Sequence, residues 1–440
     1  MHESLFLTLF NRNNMRLLFL LLFISASKTS ISQTEFDYRI FTQKMCSPQF
    51  HGRGYVNKGD SIAGEYIAEK MIELGIDSLP FGYFQSFNLD VNTFPDYCKV
   101  AIGGKEIRPG IDYIIMPFSN GNCISNQCDK IVKYNIVRKS GGEILTEPKK
   151  ILKEIKAGHI LVVENTGYSQ DSSRQIQGFL KELCKLGIPI AEIVNQKFTW
   201  SLSPYEASGF YIQVKTSYLK ATDSEIDVLL RNNLIHNYQS RNVIGLIPAK
   251  RKSKGTIMLT AHYDHLGRMG SATYFPGAND NASGVAMLLQ LGHMIRNRPL
   301  RKYDVILVAF AGEEIGLLGS KHMSETNIID LNRVKFLLNL DIMGSGEEGI
   351  TAVNGRVFLK EFKRLQKLNR RYKAVPVVKA RGKSANSDHH FFTEKGVHSF
   401  FIYTMGKNKN YHDVYDTYEN LTFSSFDRLS SLFDSFLRRF

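Results

Sequence analysis

Three short apolar runs, at residues 256–260, 305–310 and 336–340, each end in side chains that bind metals or move protons. His262 and Asp264 follow the first, Glu313 and Glu314 the second, and Asp341 the third. Runs of this length and texture read as strands buried on both faces, the pattern of a largely parallel sheet covered by helices. The segments between them agree: the spacing predicts helices over 283–296, 317–324, 358–371 and 423–437, and a further strand at 399–403. The expected fold class is α/β, a mostly parallel mixed sheet sandwiched by helices. In open sheets of this kind, side chains far apart in sequence converge in the crevice beyond the carboxyl ends of the strands. Asp280, in a loop just before the helix at 283, reaches that same crevice.

A chain of 440 residues can bury a large core and is expected to form two domains. Residues 33–83 are read as N-terminal helices of the domain that ends the chain. Asp60 is expected to cap a helix carrying Ile62, Tyr66, Ile67, Met71 and Leu74 on one face, stopped by Gly75. Over 84–220 the texture changes to short strands and turns punctuated by Gly103-Gly104, Pro109-Gly110 and Gly141-Gly142. Strands at 158–164 and 187–194 flank an amphipathic helix near 174–186. This stretch, read as an inserted smaller α/β or β-rich domain, holds no chemical motif, whereas 221–440 holds all of them.

The net charge of +14 raises the question of a polyanionic partner. Its Lys and Arg are scattered, with clusters at 250–254 and 360–371. The second cluster alternates with Phe358, Leu359, Phe362, Leu365 and Leu368 at helical spacing, so it reads as a solvated helix face, and no nucleic-acid partner is expected. At the N-terminus, with Met1 or Met15 as the start, the apolar run 17–24 makes about 12 Å of helix against a hydrocarbon core of about 30 Å. Residues 1–32 have the shape of a signal peptide, with Ser30-Ile31-Ser32 placing cleavage before Gln33. The expected mature protein is exported, periplasmic or extracellular, without stable membrane insertion. None of the five cysteines (Cys46, Cys98, Cys123, Cys128, Cys184) lies among the metal-type residues, so a thiolate site is not expected. Cys123 and Cys128 are close enough to pair in an oxidising compartment, and an odd count leaves at least one thiol free.

Taken with His412 and counted as one ligand from each of five stations (His262, Asp280, the Glu313-Glu314 pair, Asp341 and His412), the crevice supplies two imidazoles and three carboxylates, a set suited to a borderline divalent ion such as zinc. A shared carboxylate would give each of two ions three protein ligands and an open position, with the ions about 3.5–4 Å apart. Of the adjacent Glu313 and Glu314, one can ligate while the other moves protons. Each residue also has a plainer reading: Asp280 as a helix cap, Asp341 as a strand-end turn residue, the glutamates as partners of a helix dipole.

The strings AHYDH, NDNASG, AGEE, LNLDIMG, SDHHFF and YHDVYDT, with SRNVIG before them, resemble metallopeptidase family 28, the co-catalytic two-zinc aminopeptidases. The segment FHGRGYVNKGDSIAGEYIAEKM is similar to that family's N-terminal helix, and 84–220 resembles its protease-associated insertion in texture. The resemblance implies two Zn2+ ions, with His262 and Asp341 on one, Glu314 and His412 on the other, and Asp280 bridging. It implies Glu313 as general base, Asp264 as the residue that orients His262, and Tyr411 as a donor to the tetrahedral oxyanion. Asp388 and His389 fall near the implied substrate pocket, with Asp388 or Glu313 as candidates to hold a substrate amine, while His265 and His390 are expected to be bystanders. The implied activity is removal of N-terminal residues from peptides with a free N-terminus. A carboxypeptidase or a glutaminyl cyclase on the same scaffold, and a non-catalytic binding protein, are the alternatives.

Overall fold

The structure, a computed structural model, describes residues 36–122 and 131–440. The signal-peptide reading and the proposed Cys123–Cys128 pair lie outside these residues. Cys46, Cys98 and Cys184 are buried free thiols.

Eight strands make the sheet that carries the site: β1 (Phe84–Thr93), β2 (Asn233–Ile247), β3 (Thr256–His262), β4 (Asp304–Phe310), β5 (Val334–Asp341), β6 (Gly349–Val353), β7 (Val378–Ala380) and β8 (Ser399–Met405). Their spatial order is β1-β2-β4-β3-β5-β8-β6-β7. The central strands β4, β3, β5 and β8 run parallel, and antiparallel pairings at β1/β2, β2/β4 and β6/β8 make the sheet mixed. The expected fold class is borne out. These strands read as unbroken apolar runs because successive residues enter two different cores. Ile257, Leu259, Leu307 and Leu338 face one layer of helices, while Met258, Ile306, Val308 and Leu337 face the other. The helix Ser283–Asn297 is buried almost all round, and Gly292 lets it approach β4: a Cβ there would lie 2.5 Å from Leu307 Cδ2.

The helix expected around Asp60 spans Gly59–Glu73, with Gly75 (φ 67°) just beyond its end. Asp60 is not its cap. It lies buried in the first turn, where it accepts hydrogen bonds from Tyr238 Oη at 2.6 Å and Ser240 Oγ at 2.8 Å of β2. The buried face is Ala63, Ile67, Ala68 and Met71, whereas Ile62 is exposed, because the helix turns its small residues to the sheet.

A second eight-stranded sheet lies in the sequence between β1 and β2, in the order 105–107, 98–102, 225–230, 132–140, 159–164, 190–194, 211–215 and 113–115. The strand pairing can be set beside the boundaries expected at residues 84 and 220. Phe84–Thr93 pairs with β2 in the first sheet, with Thr93 opposite Asn233, and Glu225–Leu230 pairs within the second. The two-stranded ribbon of β1 and β2 thus leads into and out of the segment that forms the second sheet. The amphipathic helix expected near 174–186 spans Gln170–Lys185.

Candidate metal centre

Each site residue is placed by a local device. β3 ends on His262, whose ring is buried with Nδ1 3.2 Å from the Asp264 backbone oxygen. After β4 the chain turns so that the N–H groups of Glu313 and Glu314 donate to Asp264 Oδ1 (3.2 Å) and Oδ2 (3.3 Å). The Asp264 carboxylate therefore holds the glutamate turn. The expected contact with His262 is made by its main-chain oxygen, since its Oδ1 stays 3.9 Å from His262 Nδ1. The loop bearing Asp280 is held from below by Asp416, whose carboxylate accepts from the N–H groups of Asn279 (2.9 Å) and Asp280 (3.0 Å). Asn281 ties it to the end of β5 through the Leu340 carbonyl at 3.0 Å.

Arg53, fully buried, completes the support. Its guanidinium donates to the carbonyls of Tyr263 (2.8 Å), Pro276 (2.6 Å) and Gly277 (2.6 Å), clamping the chain that follows β3 to the loop of Asp280. Gly277 has φ 58°, and a Cβ there would lie 2.6 Å from Arg53 Nη2, so glycine is required where the arginine enters. Arg53→Met is expected to cost on the order of 3 kcal/mol or more, because it orphans several buried carbonyls at once. Urea unfolding of the metal-free protein measures this.

The side chains converge. Asp280 Oδ1 lies 3.2 Å from His262 Nε2, and Asp280 Oδ2 lies 3.1 Å from His412 Nε2. Glu314 Oε2 is 3.0 Å from His412 Nε2, and Asp341 Oδ1 is 3.5 Å from His262 Nε2. Ligand atoms of His262, Asp280 and Asp341 lie within 4.8 Å of one another, as do those of His262, Glu313 and Glu314, and those of His265, Asp280 and Glu314. Asp341 Oδ1 and His265 Nε2 are buried with no hydrogen-bond partner, the state expected of donor atoms that a cation would satisfy. The residues thus fit divalent metal with mixed nitrogen and oxygen ligands.

His265, expected to be a bystander, is buried with its Nδ1 2.7 Å from Glu314 Oε1, where the turn after β3 carries it over the glutamate pair. Tyr411 stacks on the His412 ring with centroids 4.0 Å apart and is 46% exposed, so its phenol borders the open side of the cluster. Asp388 is buried with neither oxygen hydrogen-bonded, and both ring nitrogens of His389 are unpartnered. His390 is directed instead towards Glu394, at 3.8 Å. The sequence reading missed Arg53, although its place between two glycines in FHGRG marked a close approach, and Asp416, which lay within YHDVYDT without a role. It also missed Trp200 of the inserted segment. The Trp200 N–H donates to the His412 carbonyl at 2.9 Å, and the Trp200 oxygen lies 2.8 Å from His412 Nδ1. His412 itself has left-handed φ (53°), an uncommon backbone state for a residue that carries a Cβ.

Burial pushes the Asp264 and Asp416 carboxyls up to about 7 and those of Asp341 and Asp388 up to about 6. Burial also raises Glu313 well above the carboxylate range, helped by Glu314, Asp388 and Asp341 against the opposing pull of His262. For Asp280 burial is outweighed by His262 and His412, which hold it well below its usual value. The four raised aspartates keep protons in the folded state that the unfolded chain releases near pH 4. Their contribution to stability is present below that pH and fades as pH rises through about 6 to 7. Asp280 titrates in the opposite sense. The chelated protein is expected to melt at a lower temperature at pH 8 than at pH 5, with added zinc raising the melting temperature more at pH 8, where fewer protons compete. Differential scanning calorimetry at both pH values checks this.

Fold and donor set together define a class: an α/β sandwich whose carboxyl edge carries a buried cluster of metal-ligand chemistry. Residues 242–437 match the model of Peptidase family M28, and the resemblance read from the motifs is borne out. The chain is 25% identical over 250 residues to Aminopeptidase YwaD of Bacillus subtilis, covering 50% of this chain and 53% of that protein. It is 26% identical over 245 residues to a probable leucine aminopeptidase of Arthroderma otae, covering 52% of this chain and 64% of that protein. The match thus spans about half to two thirds of the length of these curated relatives. A solved zinc aminopeptidase from Bacillus subtilis shares the fold with a TM-score of 0.65 at 18% identity, over 91% of this chain and 94% of that one.

Proposed function

We propose that the chain is an exported zinc aminopeptidase that hydrolyses the N-terminal residue from peptides. The observation that carries this reading is the stance of Asp280, with one carboxylate oxygen facing the Nε2 of each imidazole. That stance suits a carboxylate bridging two Zn2+ ions, with His262 and Asp341 completing one site and Glu314 and His412 the other. Zinc ions so held would acidify water and polarise a peptide carbonyl.

The chain's own residues supply the rest. Glu313, raised by burial and by neighbouring carboxylates, takes the proton of the attacking water and returns it to the leaving amine as the C–N bond breaks. Asp388, buried and unpartnered, is the acid we assign to the free amino group of the substrate. Tyr411 donates its phenolic O–H to the oxyanion. His265 orients Glu314, and the Asp264 and Trp200 carbonyls orient His262 and His412, the outer contacts that a metal-bound imidazole needs. We read the segment between β1 and β2 as the inserted, protease-associated-like domain and residues 1–32 as the export signal. Among the described residues no helix is long and apolar enough to cross a membrane.

The decisive experiment compares leucine p-nitroanilide with its N-acetyl form, alongside metal analysis of the purified protein. Cleavage of the free-amine substrate alone, abolished by chelation and restored by zinc, is expected. Equal cleavage of both substrates would exclude an aminopeptidase. Ammonia release from an N-terminal glutamine peptide without chain cleavage would assign a cyclase.

A further inference from the structure

The positive charge that the sequence shows as scattered is not scattered in space. Lys250, Arg251, Lys252 and Lys254 occupy the loop before β3, and all four are exposed. Arg298, Arg301 and Lys302 occupy the loop before β4, also exposed. The two loops are fastened together, with the Lys250 N–H donating to the Leu300 carbonyl and the Lys254 N–H to the Lys302 carbonyl, both at 2.8 Å. The C-terminal turn closes the patch, since Arg438 and Phe440 line the same concavity of about 450 Å³ as Lys250, Arg298 and Tyr303. Arg364 lies over the Phe440 ring, 4.9 Å from its centroid. Of these cations Arg438 is paired, with Asp434 at 2.7 Å, and no ion pair holds the loop cations among the described residues.

Unpaired cations crowded on fastened loops repel one another, an arrangement that an external anion relieves. The place of the patch matters as much as its charge. β3 and β4 begin here and end at His262 and at the glutamate turn, so the patch lies at the opposite edge of the sheet from the metal centre. An anchor there leaves that centre facing outward. The cations are interleaved with partly exposed Tyr303, Pro299 and Phe440 over a floor of Leu300 and Leu437. Basic side chains mixed with aromatic rings form the set that settles at the headgroup level of a bilayer.

We propose that this face docks the protein peripherally on a membrane surface bearing anionic phospholipid headgroups. Each Lys or Arg near such a surface is worth roughly five-fold in partitioning, so three of them contribute about a hundred-fold. The test is co-sedimentation of the full chain with phosphatidylcholine vesicles with and without phosphatidylglycerol, at low and high salt. Binding to the anionic vesicles, weakened by salt, is expected. The triple variant Arg298→Glu, Arg301→Glu, Lys302→Glu should lose at least a hundred-fold. The variant Lys149→Glu, Lys153→Glu, Lys156→Glu carries the same change in net charge on the inserted segment and should keep its binding. Circular dichroism confirms that both variants are folded. Equal losses in the two variants, no preference for phosphatidylglycerol, or binding to a DNA duplex without binding to vesicles would each overturn the proposal.

Discussion

Glu313→Gln is expected to leave about two zinc ions bound per chain while turnover falls by roughly 100-fold or more, a barrier increase of about 2.7 kcal/mol. The substitution keeps the size of the side chain and the main-chain N–H that donates to Asp264, so the turn carrying Glu314 stays in place. What it removes is the ability to accept the proton of water. The loss should fall on kcat, with KM nearly unchanged, as expected of an interaction made in the transition state. Because Glu313 also lies within ligand distance of His262 and Glu314, metal analysis of this variant separates the roles. A base gives full metal with little activity, whereas a ligand gives depleted metal. Full activity in the variant would remove Glu313 from the mechanism.

Asp280→Ala should fail in the opposite order. It takes away both oxygens that stand between His262 and His412, and metal affinity should drop by more than 100-fold, since even outer contacts of metal ligands are worth 10–100-fold. Activity should then track added zinc rather than vanish outright. Competition with a chromophoric chelator gives the affinity, and near-ultraviolet circular dichroism shows whether the fold persists. Persistence is expected, because the loop is still held by Arg53 through the Gly277 carbonyl and by Asp416 through the Asn279 N–H. If one ion remained tightly bound with full turnover, a single-metal centre would replace the bridged pair.

Much of this centre could be read before any coordinates, for a physical reason. Strand ends are announced by where an apolar run stops, and in a parallel sheet those ends share an edge, so His262, Glu313, Glu314 and Asp341 were brought together by topology alone. Asp280 was placed by the helix that begins just after it, whereas His412 lies on a loop and was pointed to by its motif context. Arg53 and Asp416 were harder to see because each acts on main-chain atoms, a partnership that leaves no complementary side chain in the sequence. The atom by which Asp264 meets His262 was not legible, since spacing shows that a residue can reach an imidazole but not whether its carboxylate or its carbonyl does so. Trp200 was out of reach, since it lies more than two hundred residues from His412 in a segment with no motif. The basic patch was not legible as one surface because its parts, the cluster at 250–254, the cations at 298–302 and the C-terminal turn, meet only in the fold.

The paired backbone contacts between Trp200 and His412 bear on how such a chain can be inherited and recombined. One imidazole of the cluster leans on the main chain of a loop that the second sheet supplies, and Lys197 of the same loop forms an ion pair with Asp413. A chimera that replaced the segment between β1 and β2 with that of a relative would have to restore a carbonyl at that point. One that deleted the segment would leave His412 with its left-handed backbone unsupported. The two sheets are therefore coupled here through main-chain geometry, so an exchanged segment must reproduce the path of the Trp200 loop more than its sequence.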